Sequence, residues 1–291
     1  MTVSSKPLLI RTDCPIDPLT LQIIRLIDGI LHGAGIPYML VGATARDLLL
    51  HHVYGLPVTR ATYDVDFAIL VDSWEQFATV KQLFLKVPGF IDKERDKQRL
   101  FYQQAPAAPE TIVDIIPFGK LEAGDRTIAW PPDAEVVMNV AAFSDVFKGA
   151  LVVELEPTLQ IPIPSLAGLV ILKLFAWLDR RDGRDVQDLR RLLETYTEAG
   201  NEDRLYEEET VELEHVDFDT VLGGAFLLGK DARQITDQAT RDQLSVALSG
   251  KNITALVDQI ARSMSSFEDR TESSTALLRG LFRGMGLNHL L

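Results

Sequence analysis

The chain has 291 residues, of which 46% are hydrophobic, and a formal net charge of −13 at pH 7. A protein that wraps a long nucleic acid needs a basic face, so we expect no extended DNA binding. No apolar run reaches the roughly 18 residues of a membrane span, and the N-terminus lacks the pattern of a signal peptide. Cys14 is the single cysteine, which excludes an intramolecular disulfide and fits a reducing compartment. We therefore expect a cytoplasmic protein without a membrane segment.

The N-terminal part of the chain alternates predicted helices and strands. Apolar residues at helical spacing predict a helix over residues 17–34, and an apolar strand over 36–42 ends in glycine before a helix over 43–53. A loop over 55–63 leads to a strand over 64–71, and Ser73 is the expected N-cap of a helix over 73–87. The pattern then predicts strands over 99–104, 110–119 and, as a pair, 150–164.

The C-terminal part has helical periodicity throughout. The predicted helices cover 165–179, 185–196 and segments near 230–248, 252–264 and 271–284. The acidic run 207–219 is expected to be a solvated connector or the outer face of a helix. We predict an α/β (α+β) domain with a mixed sheet over residues 1–164, followed by a helical domain over 165–291.

Three aspartates stand at strand positions where charge is costly. Asp64 and Asp66 in "TYDVDFAILV" point to the same side of a strand, and Asp114 lies among apolar residues in "TIVDIIPFG". If the two strands are neighbours, three carboxylates converge in a cluster that is unfavourable until a divalent cation fills it. For the paired Asp64 and Asp66, a metal ion rather than a protein cation is the expected neutralising charge. Mg²⁺ suits such oxygen ligands, and two ions could activate a hydroxyl and neutralise a departing pyrophosphate. On its own, the D-x-D pair also fits two solvated charges at a strand start.

Two further features are compatible with phosphate binding. The turn after the strand ending at Gly42 offers the backbone N–H groups of Ala43 and Thr44, and the Thr44 hydroxyl is an optional further donor. The same glycine also fits a plain tight turn. In "KLFAWLDRRDGRDVQDL", Lys173, Arg180 and Arg184 fall with a tryptophan within about 60° on a helical wheel. A charged outer face over that tryptophan is the alternative, and a break at the intervening glycine would divide the face.

Together these residues resemble the DNA polymerase β-like nucleotidyltransferases. The segment "VGATARDLLL…TRATYDVDFAILV" is especially similar to bacterial nucleotidyltransferases related to the AbiE abortive-infection toxin (AbiEii-like). Their later helical segment also carries a Lys, an Arg, an Arg/Lys-Asp pair and a further Asp. The resemblance covers residues 36 to 195, about half of the chain. "GATARD" also resembles the opening of the CCA-adding enzymes, in which an Arg-Asp pair follows the glycines.

The resemblance implies a nucleotidyltransferase-like core and a set of site residues. Metal binding and catalysis would fall to Asp64, Asp66 and Asp114, the last as third Mg²⁺ ligand or as base for the incoming hydroxyl. Binding of the donor NTP would fall to Gly42, Ala43, Thr44, Arg46, Lys173, Arg180, Arg184, Asp185 and Asp188. Within that set, either Asp185 or Asp188 would orient the acceptor or a basic neighbour. The superfamily often has Gly-Gly or Gly-Ser where this chain has Gly-Ala, which removes one hydroxyl from the turn.

The leading hypothesis is a Mg²⁺-dependent transfer of a nucleoside monophosphate from an NTP to a hydroxyl. The acceptor would be RNA or protein if the chain is a toxin, with a cognate antitoxin as a possible partner. A small molecule of the aminoglycoside or lincosamide type is an alternative acceptor, because a cationic substrate would suit an acidic pocket. A non-catalytic nucleotide- or protein-binding module with the same fold is the other alternative.

Overall fold

Local sequence patterns do not say which strands are neighbours, and a computed structural model supplies that pairing. It describes residues 6–58, 64–93, 96–264 and 269–291, so the second half of the predicted loop 55–63 lies outside the described residues. The chain divides into two compact units, Met1–Ser165 and Leu166–Leu291. Whether they are independent domains with a boundary at 164 stays a prediction.

The first unit contains every strand of the described residues and four helices. The strands are β1 (Leu8–Leu9), β2 (Tyr38–Val41), β3 (Val65–Val71), β4 (Phe90–Ile91), β5 (Arg99–Tyr102), β6 (Thr111–Gly119), β7 (Thr127–Ala129), β8 (Val137–Asn139), β9 (Leu151–Glu156) and β10 (Leu159–Ile163). The helices are α1 (Pro18–Gly33), α2 (Gly42–Asp47), α3 (Trp74–Leu85) and α4 (Phe143–Lys148), and α2 continues directly as a π-helix over Leu48–Val53.

The main sheet is mixed and has the strand order β2-β3-β6-β5-β4. The β3–β6 pair is parallel, whereas the other neighbouring pairs are antiparallel. The central strand β3 is buried at five of its seven positions, as expected for a strand that is covered on both faces. A smaller sheet has the order β1-β9-β10, and β7 and β8 form a hairpin.

Local signals in the sequence set the ends of the helices in this unit. The Asp17 carboxylate accepts a hydrogen bond from the backbone of Thr20, and Pro18 occupies the first turn of α1. Ser73 caps α3 as predicted by accepting from the backbone N–H of Gln76 at 3.2 Å. The predicted helices and strands of this part of the chain are confirmed to within a few residues.

The second unit is helical over its described residues. Its helices are α5 (Leu166–Arg180), α6 (Gly183–Thr195), α7 (Glu202–Glu208), α8 (Thr210–His215), α9 (Thr220–Ile235), α10 (Gln238–Leu248), α11 (Lys251–Ser263) and α12 (Arg270–Met285). The predicted fold class, a mixed-sheet α/β core followed by a helical C-terminal part, is confirmed. No helix in the described ranges is long and apolar enough to span a membrane.

Most of the acidic run 207–219 is exposed and helical, as predicted for a helix face, but two of its carboxylates depart from that prediction. Glu209 and Glu212 are buried, Glu209 contacts the Lys230 ammonium, and Glu212 makes a two-pronged ion pair with Arg283 at 2.8 and 2.9 Å. Ion pairs therefore link Glu209, just before α8, to α9, and Glu212 of α8 to α12. Sequence periodicity could not reveal this because their cationic partners lie 21 and 71 residues further along the chain.

Candidate active site

The turn between β2 and α2 brings the backbone against a carboxylate. Val41 ends β2, and Gly42 starts the helix with φ of +71°, a conformation that glycine adopts without strain. A Cβ atom on Gly42 would lie 2.0 Å from Asp66 Oδ2 and 2.9 Å from Asp66 Cγ. Only a glycine lets the Asp66 carboxylate approach the start of the helix this closely.

The neighbours of Gly42 in the turn are held by interactions within the first unit. The buried Thr44 donates its hydroxyl to the backbone carbonyl of Asp64 at 2.7 Å, so this hydroxyl ties the helix to the segment just before β3. The Thr44 hydroxyl, predicted as an optional phosphate donor, therefore has a partner within the protein. The Arg46 guanidinium is buried and donates to Asp47 Oδ1 through Nε at 2.8 Å and Nη2 at 2.7 Å.

The second and third aspartates lie side by side, as the sequence analysis expected for neighbouring strands. In the parallel β3–β6 pair, Asp66 is the register partner of Asp114. Register continues on both sides, because Val41 of β2 pairs with Asp66 and Arg99 of β5 pairs with Asp114. Register partners project from the same face of a sheet. One row of residues therefore crosses four strands, from Val41 beside the Gly42 turn to Arg99.

Arg99 is the residue that the sequence analysis missed, and it is a protein cation bound to the third aspartate, Asp114. The expectation that a metal ion neutralises the paired Asp64 and Asp66 stays a prediction. The Nε and Nη2 atoms of Arg99 donate to Asp114 Oδ1 and Oδ2, each at 2.9 Å, and its Nη1 lies 3.2 Å from Asp96 Oδ2. Hydrogen bonding to Asp114 raises the pKa of Arg99, and the charges of Asp114, Asp96 and Asp64 add to that effect. The alternating "RLFY" strand that carries Arg99 was the only available signal.

A divalent ion needs oxygen ligands that lie close to one another. Within the described ranges, no three acidic, histidine or cysteine side chains are grouped closely enough to hold a metal. Asp114 instead has both oxygens on Arg99, so the three predicted ligands do not form one group here. Mg²⁺ commonly takes only one or two protein carboxylates and completes its shell with water and phosphate oxygens. Asp64 and Asp66 fit that smaller requirement, and all three metal roles stay predictions.

A small cavity opens beside the start of β3, within the first unit. It measures about 280 Å³, and its polar lining includes Asp17, Thr44, Asp47, Asp64 and the adjacent residues His51 and His52. The two imidazole rings meet edge to face with centroids 4.8 Å apart. Burial lowers the pKa of His52, which favours a neutral ring at pH 7. The lining also includes apolar residues, and the carboxylates of Asp17, Asp47 and Asp64 are its acidic groups.

The remaining predicted residues form an ion-pair cluster within the second unit. Lys173 on α5 is buried, donates to Asp185 Oδ1 at 3.1 Å and also pairs with Asp188 of α6. Arg180 holds the same Asp185 carboxylate through Nε and Nη2, both at 2.7 Å. Burial would raise the pKa of Asp185, but hydrogen bonding and charge from these two cations outweigh it and lower the pKa.

The single cationic helical face predicted for this segment is divided, as a break at the glycine would require. Helix α5 ends at Arg180, Arg181 takes φ of +55°, and α6 begins at Gly183. Beyond the break, Arg184 turns back to Asp182, to which its Nε donates at 2.8 Å, and this bond lowers the pKa of Asp182 to about 2. The structure thus groups Lys173 and Arg180 and gives Arg184 a separate partner.

Comparison with known proteins identifies a family. The family model described as "Nucleotidyl transferase AbiEii toxin, Type IV TA system" matches residues 26–278. No curated protein matches the sequence.

Similar solved structures include nucleotidyltransferases of several kinds. A putative nucleotidyltransferase from H. pylori is 18% identical, with 94% of this chain and 98% of that chain covered and a TM-score of 0.38. The antibiotic-resistance factor ANT(2'')-Ia is 14% identical over 69% of this chain and 98% of its own, with a TM-score of 0.39. A CCA-adding enzyme is 15% identical over 89% and 71%, with a TM-score of 0.32. Sequence identities and TM-scores this low do not establish a family. The family model, however, matches residues 26–278, which is most of the chain, and the chain therefore belongs to the AbiEii nucleotidyltransferase toxin family.

Proposed function

We propose that this nucleotidyltransferase is Mg²⁺-dependent and moves a nucleoside monophosphate from an NTP to a hydroxyl of an RNA or protein acceptor. The observation that carries the proposal is the contact between the Gly42 turn and Asp66. Free N–H groups at the start of a helix attract phosphate, whereas a carboxylate at the same place repels it. The two become compatible when a divalent cation lies between the carboxylate and the phosphate oxygens.

In this proposal, the first unit supplies metal ligands and backbone groups that bind phosphate. Asp64 and Asp66 hold Mg²⁺, which supplies positive charge to the triphosphate and to the departing pyrophosphate. The backbone N–H groups of Gly42, Ala43 and Thr44 bind the triphosphate oxygens. The hydroxyl of Thr44 fixes the Asp64 backbone, which supports a positional role for this side chain.

Within the second unit, a set of cations is proposed to bind phosphate. Lys173 is held by the carboxylates of Asp185 and Asp188, which fixes the position of its ammonium group. This supports Asp185 and Asp188 as residues that orient a basic neighbour, one of the two roles predicted for them. Arg180 and Arg184 are proposed to bind phosphate with Lys173.

The direct test is calorimetric titration of each of the four NTPs with and without Mg²⁺. We expect one NTP to bind only with Mg²⁺, and Asp64→Asn or Asp66→Asn to abolish that binding. Asp72→Asn is the matched control, because Asp72 lies just after β3 and pairs with the exposed Lys120. Mg²⁺-independent binding that survives both substitutions would refute the metal role.

The acceptor is identified by transfer of a labelled nucleotide to tRNA, to total protein and to small molecules in parallel. Labelling of RNA or protein, lost in Asp66→Asn, is the outcome expected for a toxin. Robust labelling of a drug with neither macromolecule labelled would refute the toxin acceptor. Co-expression with a cognate antitoxin should then relieve growth arrest.

The acidic cavity favours a second candidate acceptor, a small cationic molecule. Three carboxylates line a space of about 280 Å³, which is near the lower end of the range for small-ligand sites. A cationic aminoglycoside-type acceptor would be attracted by this charge. Asp17→Asn should then raise the KM for the drug while leaving the NTP affinity unchanged, and an unchanged KM would exclude this site.

A further inference from the structure

The inner side of α7 and α8 is fixed to the longer helices of the second unit. Leu205 of α7 and Leu213 of α8 both pack against Gly223 of α9, where an added Cβ would lie 3.1 Å from Leu205 Cδ1 and 2.8 Å from Leu213 Cδ2. The buried ion pairs of Glu209 and Glu212 add to this attachment. Apolar packing and buried ion pairs together hold the two short helices, and the side chains on their outer side, in one arrangement.

Three large apolar side chains of the same segment lie in solvent. Tyr206 of α7 is 50% exposed, Val211 of α8 is 68% exposed, and Phe218, in the turn between α8 and α9, is 61% exposed. A single exposed apolar side chain is common on protein surfaces. Here three of them follow one another along a segment whose inner side is already packed, so they are available to a partner.

The backbone at the end of α8 imposes the exposed position of Phe218. The Phe218 N–H donates to the Leu213 carbonyl at 2.8 Å, and the Asp217 N–H donates to the carbonyl of Glu214 at 3.3 Å. This is the Schellman pattern, in which the left-handed residue is usually glycine and the next residue commonly packs back on the helix. Asp217 and Phe218 instead both have positive φ, +52° and +61°, and Phe218 stays in solvent. Backbone strain of this kind is typical of functional sites.

Negative charge accompanies these apolar residues along the segment. Five exposed carboxylates have no cationic partner within the described part of the chain, namely Glu202, Asp203, Glu207, Glu214 and Asp217. Arg204 is the one lysine or arginine between residues 202 and 219, and it is bound to Asp231 and Glu208. An acidic surface repels nucleic acid and anionic lipid and attracts a basic protein. Charge complementarity therefore selects a basic protein as the partner.

We propose that the outer face of α7 and α8, carrying Tyr206, Val211 and Phe218, is a docking surface for a basic protein with an apolar pocket that receives Phe218. Buried aromatic side chains commonly carry much of the binding energy at an interface, whereas charges at its rim steer and orient the partner. The surface contains none of the residues assigned to nucleotide transfer. The inference therefore does not depend on the proposed function.

The first experiment measures binding of a short fluorescent amphipathic peptide of lysine and leucine to the full chain by anisotropy. Phe218→Ser should weaken binding by about 10-fold, because it removes the aromatic anchor. Glu214→Gln/Asp217→Asn should weaken it by about 3-fold at low salt and less at high salt, where the charges are screened. A second peptide with serine in place of leucine should bind more weakly than the first and should not respond to Phe218→Ser.

The matched control is Val246→Ser, because Val246 is 76% exposed on α10, outside the proposed surface. It should leave the affinity for the lysine–leucine peptide unchanged. Equal affinities of the Phe218→Ser and Val246→Ser proteins would overturn the proposal, and so would absence of binding to the unaltered chain. Far-UV circular dichroism of each variant confirms that the fold is retained.

The second experiment separates docking from a role of Phe218 in the fold. Phe218→Gly should raise the urea midpoint, because glycine adopts positive φ without strain, and should still weaken peptide binding by about 10-fold. Asp217→Gly should also raise the midpoint but should keep the peptide affinity within about 3-fold, because it retains Phe218. A lowered midpoint for Phe218→Gly with unchanged peptide binding would assign Phe218 to the fold and refute the docking surface.

Discussion

Substitution of Gly42 by alanine tests the contact on which the proposed site depends. Two costs add up at this position. An L-residue at φ of +71° costs about 1–2 kcal/mol relative to glycine, and a Cβ atom 2.0 Å from Asp66 Oδ2 forces the carboxylate to move at a further cost of about 1–3 kcal/mol. We expect Gly42→Ala to lower the free energy of unfolding by about 2–5 kcal/mol in total.

The chain offers controls that isolate each cost. Gly35 has φ of +65° and no atom within 4 Å of an added Cβ, so Gly35→Ala reports the backbone cost alone. Gly29 lies within α1 with neither strain nor contact, and Gly29→Ala should be neutral or stabilising.

Urea unfolding of these variants and of Gly42→Ala/Asp66→Ala measures the effect. The double variant should recover about 1–3 kcal/mol relative to the sum of the two single changes, because the colliding carboxylate is gone. Equal losses for Gly42→Ala and Gly35→Ala, with no coupling to Asp66, would refute the close contact. The same Gly42→Ala protein should also lose Mg²⁺-dependent NTP binding.

Three further predictions concern the second unit and the metal. In urea unfolding, Gly229→Ala and Gly284→Ala should each lower the free energy of unfolding by about 2 kcal/mol or more. An added Cβ would lie 2.1 Å from a backbone carbonyl oxygen of the opposing helix, which is α12 for Gly229 and α9 for Gly284. Gly183→Ala is the control and should be neutral, because an added Cβ there has no atom within 4 Å. Asp185 has a lowered pKa, so its ion pairs stabilise the fold above the ordinary aspartate pKa, and this stability is lost as the pH falls below it. Arg180→Gln removes one of these ion pairs and should move the midpoint of acid unfolding, followed by circular dichroism, to higher pH. An unmoved midpoint would contradict this prediction. Chelation of divalent ions by EDTA should abolish calorimetric NTP binding, and added Mg²⁺ should restore it.

The order and type of the elements followed from local patterns. Helical spacing, strand alternation and an N-cap such as Ser73 act over only a few residues, so they can be recognised in the sequence without knowledge of the fold. The sequence indicated that Asp114 needs a partner, since a carboxylate in an apolar strand is costly, but it left open whether its strand lies beside that of Asp66, as it does. Helix α9 was placed only in part, because its small residues near Gly224 weaken the apolar pattern.

The sequence patterns did not predict which charged residues form ion pairs with one another. Arg99 is 15 residues from Asp114, and nothing in the four-residue strand β5 distinguishes it from a surface arginine. Glu212 was likewise expected to be solvated, although Arg283 lies 71 residues away and makes it a buried ion pair. Charge partners depend on strand order and helix packing, which local periodicity does not encode.

By itself, the sequence determined a mixed α/β part, a helical part and a set of carboxylates typical of nucleotidyltransferases, because each rests on spacing within one segment. Only the tertiary structure decided that Gly42 lies against Asp66 and that Asp114 is held by Arg99. The physical reason is that register across four strands brings together residues from distant segments. Electrostatic roles are set by the neighbours that register supplies, and not by the residues' own identities.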